Sequence, residues 1–219
     1  MAIPVLLHVA SASQALPLGV GLIARGRPLP APVRWVLVWC AVNLASDASL
    51  LWLAFARGEN IWLLYVTTPA SGATALWALS GWQSNEFWRV SYRAGVVILL
   101  VVAVAVAVTV PQSTMFDQLV APLHDLVVLV AALHTLVHLT LRSSMAITQE
   151  EWFWITLGMA LYFAASVAIR PFAQALVVSQ PDWVRAAYLV RAGIQTLAFT
   201  LVAWGVFWPS YSRRFGGHS

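Results

Sequence analysis

Apolar and polar positions alternate along this chain in long blocks. Seven apolar runs of about 18 to 24 residues are predicted as helices, and at ~1.5 Å per residue each is long enough to cross a bilayer core of roughly 30 Å. They lie near residues 4–24, 35–56, 61–81, 94–111, 119–141, 152–169 and 186–208. Short stretches with helix-ending residues separate them, such as "RGRPLPAPVR", "RGEN", "VPQS" and "SQPDW". The pattern predicts an all-α fold, a single seven-helix transmembrane domain spanning residues 1–219.

The first run is interpreted as a retained helix. No positive charge precedes it, and the arginines Arg25 and Arg27 follow it, which is the reverse of the order in a cleavable signal peptide.

Composition agrees with a membrane protein. The chain is 61% hydrophobic and only 9% charged, well outside the range of soluble domains. Its formal charge of +4 comes from arginine alone, because the sequence contains no lysine. Helix orientation in the bilayer explains this positive charge, so no nucleic-acid partner is predicted. The single cysteine, Cys40, excludes an internal disulfide or a cysteine cluster.

The arginines also predict the orientation, since cytoplasmic loops retain an excess of positive charge. Eight arginines flank one side of the predicted helices and three flank the other. The larger set is Arg25, Arg27, Arg34, Arg89, Arg93, Arg142, Arg213 and Arg214; the smaller is Arg57, Arg170 and Arg185. We therefore predict an outside N-terminus, a cytoplasmic C-terminus and, for localisation, a multi-pass protein of a bacterial inner membrane.

Polar residues from five different runs fall at one predicted depth in the outer half of the bilayer. Ionisable groups at membrane depth are costly, and they typically face the bundle interior and mark a site. Counting ~1.5 Å per residue places them about 6 to 14 Å below the outer surface. The predicted ligand-binding residues are His8, Asn43, Asp47, Tyr65, His124, Asp125, Arg191 and Gln195, with Ser11 and Thr68 at the same level.

Arg191 is central to this layer. Tyr188, Arg191 and Gln195 share one helical face at i, i+3 and i+7. We expect Arg191 to lie near Asp47 or Asp125, directly or across a water or ligand, because a charge away from bulk water needs a partner. The alternative is that Arg191 extends to the membrane surface while Asp47 bonds to polar groups on neighbouring helices.

The fifth run carries the motif "HTLVH", His134 to His138. His124 lies ~15 Å from His134 and ~21 Å from His138 along a helix, so one metal cannot bind all three. We interpret His134 and His138 as hydrogen-bonded to neighbouring helices and predict no zinc site. A haem held by His8 and His124 is likewise disfavoured, and retinal bound as a Schiff base is excluded by the absence of lysine. No cofactor is predicted.

Three segments resemble a group of small bacterial seven-helix membrane proteins of uncharacterised function. They are "SD" followed by "LW" in the second run, "YVTTP" in the third, and "EWFWITLGMALYFAAS" at the start of the sixth. These proteins are similar to stand-alone versions of the seven-helix sensor modules of signalling proteins. The resemblance implies the architecture and a receptor-like role, and it assigns no catalytic residue.

Three functions are compatible with these patterns. The first is a receptor-like or sensory protein that binds a small ligand in an outer-half pocket and signals through a partner protein. The second is a small transporter or proton-moving protein that uses Asp47, Asp125 and Arg191, although no internal repeat of the kind common in transporters is evident. The third, a membrane-embedded hydrolase, is disfavoured because the sequence offers no nucleophile–base pair. An enzyme is therefore not the preferred interpretation.

The arginine distribution generates a testable prediction. Reporter domains fused to the two ends of the chain should be active outside the cell at the N-terminus and inside it at the C-terminus. A cytoplasmic N-terminal reporter would contradict the orientation and the depth order that follows from it.

Overall fold

The computed structural model describes residues 5–23, 29–56, 61–109, 120–143, 146–176 and 181–215, and this part of the chain is helical without strands. Eight α-helices follow one another: α1 (Val5–Ser13), α2 (Ala15–Ile23), α3 (Ala31–Phe55), α4 (Ile61–Ser80), α5 (Glu86–Thr109), α6 (Ala121–Thr140), α7 (Glu151–Leu176) and α8 (Pro181–Phe215). A short 3₁₀ helix, Ile147–Gln149, precedes α7. The predicted all-α class is confirmed.

Six helical segments in the described ranges are long and apolar enough to cross a membrane, with α1 and α2 forming one of them together. The exception among the long helices is α4. It has 20 residues, but its centre, "TTPASGAT", carries hydroxyl groups and small side chains that lower its hydropathy. The structure thus agrees with a membrane-spanning helical bundle. The number of seven membrane-spanning helices and their orientation in the membrane stay predictions. Arg25, Arg27 and Arg57, three of the arginines behind the orientation, lie outside the described residues.

The prediction of one continuous first helix was wrong. The chain forms two helices there, α1 and α2, which are joined at Gln14. The backbone N–H of Gln14 bonds to the Ser11 carbonyl at 3.3 Å, a tight i to i+3 turn that ends α1. Pro17, near the start of α2, has no N–H to offer the Ser13 carbonyl one turn earlier. The break therefore follows from local sequence.

Several helices are longer than the apolar runs that predicted them. The largest shift of a single helix end is at α5, which begins at Glu86 instead of 94. Asn85 caps this end, its side-chain Oδ1 accepting from the Phe87 N–H at 2.9 Å, and Glu86 suits the positive end of the helix dipole. Apolar runs measure the lipid-buried part of a helix, so polar first turns of this kind were missed.

The bundle is organised around Trp39 of α3, which is fully buried. Its indole stacks on Phe199 of α8 with ring centroids 5.3 Å apart, and Tyr162 and Phe163 of α7 lie at 5.5 and 5.8 Å. Its Nε1 donates to Ser71 Oγ of α4 at 3.1 Å. One aromatic side chain therefore joins α3, α4, α7 and α8.

Two glycines bring α7 and α8 close together. A Cβ on Gly158 of α7 would lie 2.6 Å from the Ala198 carbonyl oxygen, and one on Gly205 of α8 would lie 2.9 Å from the Glu151 carbonyl oxygen. Both distances are shorter than a carbon–oxygen contact allows. The absence of a side chain at these positions lets the two backbones touch, as in membrane helix pairs with small residues at the interface.

This contact predicts that Gly158→Ala destabilises the protein by about 1–3 kcal/mol through overpacking against the α8 backbone. Gly193→Ala on α8 is the matched control, since a Cβ there meets nothing within 4 Å and alanine favours the helix. Thermal denaturation of the purified protein in detergent measures both. Equal midpoints for the two variants would contradict the close packing at Gly158.

Candidate functional site

A polar cavity of about 160 Å³ lies between α1, α3, α7 and α8. Seven polar or charged side chains line it, although most of the surrounding bundle is apolar. Its lining residues are Leu7, Ala10, Ser11, Gln14, Asp47, Tyr162, Tyr188, Arg191, Ala192 and Gln195. Asp47, Arg191 and Gln195 are among the residues that the sequence predicted, and Ser11 was placed at their level.

Asp47 of α3 forms one wall of the cavity. Its Oδ2 accepts from Ser11 Oγ at 2.9 Å and from Gln14 Nε2 at 2.7 Å. Both donors sit at the end of α1, where the helix breaks. The break thus supplies two hydrogen bonds to a half-buried acidic side chain, so that its polar atoms have partners within the bundle.

Arg191 of α8 lines the same cavity and faces α7 in the bundle. Its Nη2 donates to Ser166 Oγ of α7 at 3.3 Å. No ion pair joins Arg191 to Asp47 or Asp125 in the described ranges. Arg191 and Asp47 line one cavity while each bonds to neutral groups, and the expected partnership across a water or ligand stays a prediction. Gln195, one turn further along α8, donates to the Ala10 carbonyl of α1 at 3.3 Å.

Tyr162 of α7 connects the cavity to the core. Its hydroxyl donates to Asn43 Oδ1 at 3.2 Å, and the same oxygen accepts from Ser71 Oγ at 3.2 Å. Asn43 itself donates to the Trp39 carbonyl at 2.8 Å. Asn43 was predicted as a ligand-binding residue, but it lies behind Tyr162 and holds that hydroxyl in place.

His124, Asp125 and Arg170 form a second polar group, which we call the buried charge cluster. Asp125 Oδ1 lies 3.3 Å from His124 Nδ1, and Asp125 Oδ2 lies 3.7 Å from Arg170 Nη2 of α7. The His124 ring occupies the space where Gly72 of α4 lacks a side chain. Prediction placed His124 and Asp125 in one layer with Arg191; the structure places them instead in this separate cluster, because Arg170 is their partner.

Tyr162 stands between the two polar groups. Its hydroxyl experiences the charges of Arg191 and Asp47 from the cavity and of Asp125 and Arg170 from the buried charge cluster. Tyr162 therefore lies near both groups, which do not share one pocket.

Two predicted site residues lie away from the cavity. His8 is exposed on α1, one turn before Ser11. It was predicted at the same depth as the other site residues, but its side chain does not point into the bundle. It also does not face His124, which is buried between α4 and α7. Tyr65 is half-buried on α4 and is not among the cavity-lining residues.

The "HTLVH" histidines lie against α5. His134 Nδ1 is 2.6 Å from the Tyr92 hydroxyl, and the Trp88 ring covers it at 4.2 Å. His138 stacks on His134 with ring centroids 5.5 Å apart. The part of the chain that is described holds no group of three potential metal ligands among His, Cys, Asp and Glu. The expected hydrogen bond to a neighbouring helix is confirmed for His134, and the absence of zinc stays a prediction.

Sequence reasoning missed Gln14, Tyr162, Ser166 and Arg170. Gln14 carried a usable signal, since it is an amide in the middle of an apolar run and followed by Pro17. Arg170 was assigned to a loop because the predicted sixth helix ended at 169, whereas α7 continues to Leu176.

The fold and the cavity together define a helical membrane protein with an acid and an arginine facing one internal space. No protein-family model, curated protein or solved structure matches the chain. The resemblance to seven-helix sensor modules accordingly stays a hypothesis.

The buried charge cluster predicts strong coupling between Asp125 and Arg170. Arg170→Gln alone should cost about 3–5 kcal/mol, because it removes the opposite charge from the Asp125 side chain, which is 7% exposed. Asp125→Asn should cost less, because Arg170 is 20% exposed, and the double variant should lose less than the sum of the two. The free energies of unfolding of the parent, the two single variants and the double variant, measured on purified protein, give the double-mutant cycle.

The matched control is Glu86 and Arg89 on α5, which have the same 3.7 Å separation but lie at an exposed helix end. Their coupling should be at most about 1 kcal/mol. Additive losses at Asp125 and Arg170 would show that the cluster contributes no more than this surface pair.

Proposed function

We propose that this protein is a receptor-like membrane protein that binds a small polar ligand in the polar cavity and passes its occupancy to a partner protein. The observation that supports the proposal is that Asp47 and Arg191 line one cavity, and that no ion pair joins them in the described ranges. Two charges held this way in a bundle are costly unless water or a ligand contacts them.

An unpaired hydrogen-bond acceptor on Gln14 supports the binding of a ligand in the polar cavity. Gln14 is 1% exposed, and its Oε1 has no hydrogen-bond partner in the described structure. Leaving a buried polar atom unsatisfied costs about 1–3 kcal/mol. Gln14 lines the cavity, so a rotation of its side chain that presents Oε1 to a bound donor group recovers this cost.

The first helix offers a route for the signal. Gln14 lies both at the joint between α1 and α2 and in the cavity wall, and Ser11 and Gln14 hold Asp47 from the α1 side. A ligand that competes for Asp47 changes these bonds and with them the angle of the joint. Both α1 and α2 pack on α8, so α8 carries the change to the other end of the bundle, where the partner protein reads it.

Transport is the second candidate, and the break at Gln14 is the observation that favours it. Discontinuous helices beside a polar site are a recurring feature of transporters. In that case Asp47 and Arg191 bind the substrate, and the buried charge cluster beyond Tyr162 carries the coupling charge. A hydrolase is less well supported, since the Ser11 hydroxyl donates directly to Asp47 with no imidazole between them in the described cavity.

Thiol labelling tests the proposal and separates these two functions. Cys40 is fully buried, so it is first changed to serine, and Ala192→Cys then places a thiol in the cavity. We expect it to react with a small water-soluble thiol reagent in membrane vesicles. Ala198→Cys on the same helix is the control: Ala198 is as buried as Ala192, at 1% against 2% exposed, but it does not line the cavity and should stay unreactive.

Vesicles of both orientations complete the experiment. A receptor exposes its cavity to one side only, so labelling should occur in one vesicle orientation. Reactivity from both sides would favour transport, and equal protection of Ala192→Cys and Ala198→Cys from both sides would contradict an accessible cavity.

A further inference from the structure

We infer that the ligand of the polar cavity is a small zwitterion, with a primary ammonium bound at Asp47 and Gln14 and an acidic group bound at Arg191. The inference rests on the proposed function and names the chemical class of its ligand. It comes from the different hydrogen-bonding needs of the two walls.

The Asp47 wall lacks donors. Both hydrogen bonds to Asp47, from Ser11 and Gln14, end on the same oxygen, Oδ2. Its Oδ1 keeps its capacity as an acceptor, and Gln14 Oε1 is buried without a partner. Two acceptors beside a negative charge match an ammonium group, which offers three N–H donors and a positive charge.

The Arg191 wall lacks acceptors. Its guanidinium carries five N–H donors, and within the described structure one of them reaches Ser166 Oγ, at 3.3 Å. The planar guanidinium fits a carboxylate, sulfonate or phosphate through two parallel hydrogen bonds. Tyr188, one turn earlier on α8, lines the same wall. An acidic group is the natural partner of this side.

Charge balance favours both poles on one molecule. The cavity contains one acid and one arginine, so a ligand of zero net charge leaves every charge matched. A ligand with only an amine or only an acid leaves one protein charge without a partner in a low-dielectric space. The volume of about 160 Å³ corresponds to a benzene-sized molecule. A short amino acid fits this space, and so does the ethanolamine-phosphate headgroup of a membrane lipid.

Binding to the purified full-length protein tests the inference without any variant. Glycine, β-alanine and taurine are the soluble zwitterions, and ethylamine and propionate are their single-charge counterparts at equal concentration. The lipid arm compares phosphatidylglycerol nanodiscs with and without phosphatidylethanolamine; phosphatidylcholine serves as a zwitterion that lacks ammonium N–H groups. The readout is the rise in the unfolding temperature, which follows the fraction of protein with ligand bound.

We expect a soluble zwitterion or phosphatidylethanolamine to stabilise the protein, and the single-charge probes and phosphatidylcholine to have no effect. Stabilisation in the soluble arm identifies a free zwitterion, and stabilisation restricted to the lipid arm identifies the headgroup. Asp47→Asn and Arg191→Gln should each weaken binding by about thirtyfold or more, because each leaves one ligand charge unpaired. Asp182→Asn, at the exposed start of α8, is the control and should bind as the parent does.

Two outcomes overturn the inference, and each can be told apart from a failure of the proposed function. If ethylamine or propionate stabilises the protein as well as a zwitterion does, the ligand carries one charge and only its class is wrong. If no zwitterion stabilises the protein in either arm, the class is overturned, and the reactivity of Ala192→Cys then decides about the cavity. A reactive thiol preserves the proposed function, whereas an unreactive one removes it as well.

Discussion

Charged groups inside a lipid-facing bundle have to be satisfied by the bundle itself, and this constraint arranges the helices of this protein. Asp47, Asp125, Arg170 and Arg191 belong to four different helices, and each has at least one partner on another helix. For Asp125 the main partner is a charge, Arg170. For Asp47 and Arg191 the partners are neutral hydroxyl and amide groups, and the two charges are left facing a common space.

The apolar packing determines where that space can form. Trp39 fixes α3, α4, α7 and α8 at one level through aromatic contacts and one hydrogen bond, and Gly158 and Gly205 bring α7 against α8. Tyr162 extends from this rigid core to the cavity, held by Asn43. The wall beside Asp47 is different, because α1 ends there at Gln14 and the chain turns into α2.

The helices and half of the site could be predicted from the sequence. Hydropathy located the apolar runs because lipid exposure makes each spanning helix apolar over a fixed length. It did not locate the polar first turn of α5 or the extension of α7 past Arg170, since these lie beyond the apolar stretch. The helical spacing of Tyr188, Arg191 and Gln195 correctly indicated one face of α8. Depth alone assigned His8 and Tyr65 to the site, but depth gives no rotation about the helix axis, and both lie away from the cavity. Side-chain partners such as Ser166 and Arg170 depend on which helices are neighbours, and one sequence does not specify that.

The central claim is that Asp47 and Arg191 bind one molecule between them. The most direct measurement is a crystal structure of the protein purified from its native membrane and grown in a lipidic mesophase. The account predicts density for a small molecule that contacts Asp47 on one side and Arg191 on the other, with Gln14 Oε1 bonded to it. A closed cavity in which Arg191 forms a direct ion pair with Asp47, or an Arg191 side chain turned outward into the lipid headgroups, would contradict it.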